Sequence, residues 1–171
     1  MAIPRRVGSA AGILAVSLLL YSAVGAIWGM LRPAYTGTLV DGGQVNIPAT
    51  TDSIAFHSFA SFVIATGLLA VIVSLSMYVT SPSTRGPGML WWLIAVAALS
   101  AFSFLEVGTV VSGLLHSTGD VEQLAEGDRV SIVPGLAPGV GWLAAPFMAA
   151  LSYWCSALVT PDTEPDPVPI K

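Results

Sequence analysis

The chain has 171 residues, of which 54% are hydrophobic and 9% charged, with a formal net charge of -4 at pH 7. A soluble domain carries roughly 25% charged residues. Six basic and ten acidic side chains cannot cover a water-facing surface on a chain of this size. This balance excludes a soluble enzyme, a DNA-binding module and a disordered regulator, and leaves an integral membrane protein.

A spanning helix needs about 20 mostly apolar residues. Four stretches qualify, at about residues 7–31, 54–79, 89–115 and 140–159. The first holds no charge. A cleaved signal peptide fits it less well, because its apolar run exceeds the roughly 7–15 residues of a signal core. The second holds His57 near its start, the third holds Glu106, and the fourth holds Pro146. The expected architecture is therefore an all-α membrane protein of four transmembrane helices.

Orientation follows the Lys and Arg of short loops. With the N-terminus inside, Arg5, Arg6, Arg85 and Lys171 are cytoplasmic, and Arg32 and Arg129 are outside. The expectation is a plasma-membrane protein with both termini in the cytoplasm. Trp28, Tyr35, Tyr78, Trp91, Trp92, Trp142 and Trp154 fall near predicted helix ends. Amphipathic rings there read as interface anchors or packing groups.

The connections are unequal. Residues 81–88, SPSTRGPG, are short. Pro82 and Pro87 are expected to stop the helices, with Gly86 and Gly88 permitting the turn. A connection this tight predicts that the second and third helices are antiparallel neighbours. The outer connections, 32–53 and 116–139, are longer. Asp41-Gly42-Gly43 lies between two β-favouring runs and predicts a hairpin. Arg129 to Val133 alternates like a strand. Three short strands would pair into a small extracytoplasmic β-cap over the bundle, because a lone hairpin is marginal in water. The tail, 161–171, is acidic and proline-rich, and is expected to be extended or disordered.

Few residues can carry chemistry. Glu106 lies about ten residues, or roughly 15 Å, inside the outer end of the third helix. A carboxylate at that depth must pair, protonate or face protein. The expected partner is a hydroxyl such as Ser22, Ser61, Thr66 or Ser152; a partner subunit and a proton or ion path are the alternatives. His57 and His116 sit near the outer face, without the spacing of a metal site. Cys155 is the only cysteine, so no intrachain disulfide forms, and a packed thiol is expected. Gly8-x-x-x-Gly12 and Gly25-x-x-x-Gly29 on the first helix, and Ala145-x-x-x-Ala149 on the fourth, allow close backbone approach. They serve packing within the bundle or docking to another protein. Phosphate-loop, zinc-protease and nucleophile-elbow motifs are absent, as is a basic patch for nucleic acid. No cofactor, catalytic residue or metal ligand is expected.

Three stretches occur together: Ala26-Ile27-Trp28 with Leu31-Arg32-Pro33, then Arg85-Gly86-Pro87-Gly88-Met89, then Gly127-Asp128-Arg129-Val130. Their order resembles a family of small four-pass actinobacterial membrane proteins of unknown function, found in corynebacteria and mycobacteria, over roughly residues 8–160. The resemblance implies the four-helix layout and an actinobacterial plasma membrane, and no catalytic residues. Some proteins of this size and source accompany the respiratory cytochrome bc–cytochrome aa3 supercomplex. The leading expectation is a non-catalytic accessory or assembly subunit, in contact with membrane lipids and with integral subunits such as those of cytochrome bc and the aa3 oxidase. A small homo-oligomeric transporter or channel using Glu106 is the first rival. An envelope-biogenesis or sensory protein is the second.

Overall fold

The computed structural model describes residues 5–32, 35–40, 44–46, 51–115, 129–132 and 135–160. Four long helices dominate: α1 (Arg5–Leu31), α2 (Thr51–Thr80), α3 (Pro87–Leu115) and α4 (Ala144–Val159). In a bilayer core every backbone N–H and C=O must be satisfied within the chain, and an apolar helix does this alone. Each helix, α4 together with the 3-10 turn Gly139–Leu143 that leads into it, is long and apolar enough to cross a membrane. The chain is a multi-pass membrane protein.

Proline sets most of the boundaries. A residue before proline is pushed out of the α region. α1 ends before Arg32-Pro33, α2 before Ser81-Pro82, and α4 before Thr160-Pro161, where Thr160 is extended at φ -78°, ψ 118°. Pro87 behaves differently from expectation. It opens α3 instead of stopping it, because a first-turn residue has no N–H to lose. Gly86 before it sits at φ +151°, a region that side chains rarely adopt. Pro146 also falls in a first turn and leaves α4 unbroken.

The packing order departs from the sequence reading. α1 packs chiefly on α3, α2 on α4, and α3 on α4, while α2 and α3 touch only slightly. The six residues 81–86 can reach about 20 Å, enough to cross between helices that are not principal neighbours. Which helices meet is decided by small residues, not by connection length. Gly25 and Gly29 of α1 lie against the backbone of Phe104 and Gly108 of α3. A Cβ on Gly29 would stand 3.0 Å from Gly108 Cα, and one on Gly25 would stand 2.9 Å from Phe104 Cα. Close approach of this kind is how membrane helices associate without a hydrophobic driving force. On the other side Ala145 and Ala149 are buried, and Ser74 Oγ donates to the Ala149 carbonyl at 3.0 Å. Gly8 and Gly12 meet nothing within 4 Å and play no part in this packing.

An aromatic cluster fills the centre. Phe62 of α2 lies 5.9 Å from Phe104 of α3, 6.5 Å from Trp28 of α1 and 5.8 Å from Trp142 of the 3-10 turn. Hydroxyls tie helices together inside it. Tyr21 O–H donates to the Thr66 carbonyl at 3.1 Å, and Ser22 and Ser103 share a 2.6 Å bond. Trp28 is thus a core residue, as is Tyr78, whereas Trp91 and Trp154 face outward. Cys155 is exposed, contrary to the packed thiol expected of it.

Strands β1 (Tyr35–Val40), β2 (Gln44–Asn46) and β3 (Arg129–Ile132) form one antiparallel sheet in the order β2-β1-β3. Leu39 pairs with Val45, and Gly37 with Val130. The sheet joins the connection after α1 to the connection after α3. The expected turn at Asp41-Gly42-Gly43 and the tail 161–171 lie outside the described residues.

Candidate functional site

Glu106 is the residue whose placement matters most. It is exposed on α3, nine residues before Leu115. The four hydroxyls expected to pair with it are engaged elsewhere. Ser22 bonds Ser103, Ser61 donates to the Ser58 carbonyl, Thr66 to the Phe62 carbonyl and Ser152 to the Met148 carbonyl. Among the described residues Glu106 has no hydrogen-bond or ion-pair partner, so the buried local pairing expected for it is not formed. The reason is its helical phase. α3 buries the ridge Val96, Ser100, Phe104, Gly108, Ser112 against its neighbours. Glu106 falls on the outward face with Phe102 and Val110, which are 54% and 59% exposed.

Glu106 thus points away from the helix contacts of the bundle. A small void between the helices, lined by Ser17, Tyr21, Ser74 and Ala149, measures about 10 Å³. This is about the space of one water molecule.

A second cluster lies where α1 ends and α2 begins. Arg32 is 3% exposed, and its guanidinium carbon sits 5.1 Å from the Trp28 ring centroid. Trp28 in turn donates its indole N–H to Ser61 at 2.8 Å. A groove of about 370 Å³ runs along Trp28, Arg32, His57, Ser58 and Ser61. His57 is exposed there, edge-on to Phe56 at 6.3 Å. His116 lies outside the described residues, and among the described residues no group of three or more His, Cys, Asp or Glu comes together. The sequence reading treated Arg32 as a loop cation and missed its burial. The signal was available: Trp28 and Arg32 stand four residues apart, the spacing that stacks a guanidinium on a ring one turn away. Replacing Trp28 with Phe removes the bond to Ser61 and part of the stacked ring. The expected loss is about 2 kcal/mol of stability, measured as denaturant-induced unfolding in detergent.

The third cluster is the α2–α3 turn. Tyr153 of α4 clamps Gly86: its hydroxyl accepts from the Gly86 N–H at 2.8 Å and donates to the Gly86 carbonyl at 3.2 Å. Tyr78 stands edge-on to Tyr153 at 5.3 Å and donates to Thr160 at 2.8 Å. Arg85 Nε donates to the Tyr78 carbonyl at 3.0 Å, with the guanidinium carbon 4.2 Å from the Tyr78 ring centroid. Tyr153→Phe leaves the Gly86 N–H without its partner, while the Gly86 carbonyl still accepts from the Leu90 N–H at 3.2 Å. The expected cost is about 1–3 kcal/mol, read as a lower thermal midpoint in detergent.

No family model, curated protein or solved structure matches this chain.

Proposed function

We propose that the chain is a non-catalytic accessory or assembly subunit of a larger membrane protein complex. The observation that carries this reading is the outward-facing Glu106 within a membrane-spanning helix. A carboxyl facing acyl chains is costly, and intramembrane ionisable residues of this kind normally pair. A helix of another subunit, bearing a donor or a cation, removes that cost. Phe102 and Val110 flank Glu106 with apolar surface, so the face offers one polar contact within an apolar rim.

In this reading the termini are cytoplasmic, and the sheet forms an extracytoplasmic cap that meets an exposed domain of the partner. The three sequence stretches that resemble actinobacterial four-pass proteins make the cytochrome bc–cytochrome aa3 supercomplex the first complex to test. The test is a tagged pull-down from native membranes in a mild detergent, read by mass spectrometry and haem absorbance. Stoichiometric integral subunits are expected, and haem absorbance would assign the respiratory complex. Recovery of the bait alone would refute the accessory role.

A further inference from the structure

At the end of the bundle formed by the start of α1 and the α2–α3 turn, the surface opens into a cleft of about 870 Å³. Ser9 and Ile13 of α1, Ser83 and Arg85 of the turn, and Met89 and Trp92 of α3 contribute to its wall. Arg85 is exposed yet fixed, by its Nε bond to the Tyr78 carbonyl and by stacking on the Tyr78 ring. A cation already held in place loses little freedom when it binds an anion.

The wall combines one cation with several hydroxyls, which donate or accept. Guanidinium and indole groups donate and cannot accept. The Trp92 indole N–H is buried with no acceptor among the described residues, and none of the Asp or Glu among them lines the cleft. An anion here can accept from Arg85 and from the hydroxyls of the wall and meets no carboxylate among the described residues.

Position narrows the choice of anion. The cleft lies at helix ends, where lipid headgroups sit, and Ile13 and Met89 give it an apolar floor. Arg85 also borders a second groove of about 260 Å³, formed with Leu90, Trp154 and Ala157. The cation therefore stands at a seam between a polar cleft and an apolar one.

We propose that this cleft binds the phosphodiester of an anionic membrane phospholipid, with Arg85 as its counter-ion and the Ser83 hydroxyl as a further donor. The glycerol and the upper acyl carbons would lie along Ile13, Met89 and Leu90.

The test is native mass spectrometry of the full chain in detergent, titrated with phosphatidylglycerol or phosphatidylcholine. Phosphatidylglycerol is expected to remain bound, and Arg85→Gln to weaken it about tenfold, the scale of one charge-assisted bond. Ala10→Phe narrows the cleft without touching the contacts of Arg85, so it serves if Arg85→Gln fails to fold; it is expected to weaken the lipid as well. Equal binding by the wild type and both variants would overturn the proposal. Displacement of the lipid by millimolar inorganic phosphate would assign a free-phosphate site and overturn the lipid assignment. Lipid binding that emerges only after removal of residues 161–171 would give Arg85 to the chain's own acidic tail and would also overturn it.

Discussion

Gly29→Leu is expected to separate α1 from α3 and to cost about 3 kcal/mol or more, enough to leave little folded protein. Any Cβ at Gly29 lies 3.0 Å from both the carbonyl carbon and the Cα of Gly108. Those are backbone atoms, which a rotamer change cannot move aside. The same holds at Gly108, where an added Cβ would meet the Gly25 carbonyl oxygen at 2.8 Å, besides the Trp28 ring at 2.7 Å. Gly8→Leu and Gly12→Leu supply the control. They repeat the chemical change on the same helix at positions with open space, and are expected to be near neutral. Thermal unfolding of the purified variants in one detergent checks both halves. Equal destabilisation at Gly8 and Gly29 would contradict this account, because Leu is a better helix former than Gly and only close approach to α3 separates the two sites.

Glu106→Leu is expected to do the reverse. It removes no intramolecular bond, so the isolated chain should keep its thermal midpoint or gain slightly. Recovery of partner subunits in the pull-down should fall at least about tenfold, because the interhelical bond proposed for the carboxyl is lost. Glu106→Gln keeps a hydrogen-bonding amide and is expected to retain part of the association. A destabilised isolated chain with unchanged partner recovery would place the role of Glu106 within the subunit.

The spans and the strand pairing were legible in the sequence because each rests on a local signal. Uncharged runs of 20 or more residues leave no other conformation in a bilayer. The X-Pro steps at Arg32, Ser81 and Thr160 mark three helix ends. The alternation in Arg129–Ile132 and the β-favouring Tyr35–Val40 carry the sheet.

Helix pairing was not legible in the same way. Lipid and protein interior are equally apolar, so the buried and exposed faces of a membrane helix differ little in hydrophobicity. Leu93 is buried and Leu99 is exposed on the same helix, with nothing in the residue type to separate them. This is why the short turn misled about α2 and α3, and why Glu106 was expected to find a hydroxyl inside. Small residues were the better guide. Gly25 and Gly29 packed where their spacing allowed, but Gly8 and Gly12, with the same spacing, did not. The motif needs a facing backbone, and among the described residues α3 from Phe104 to Gly108 supplies one.

The most direct test of the accessory-subunit reading is site-specific photo-crosslinking in native membranes. A photoreactive residue is placed at Phe102 or Val110, one turn on either side of Glu106, and in separate chains at Ile64 or Ile72 of α2 as controls. The account predicts one discrete adduct with a different membrane subunit from the α3 positions, lost in Glu106→Leu, and only lipid adducts from α2. Adducts with lipid alone from the α3 positions would contradict it. An adduct with a second copy of this chain would also contradict it, and would make Glu106 the centre of a homo-oligomer.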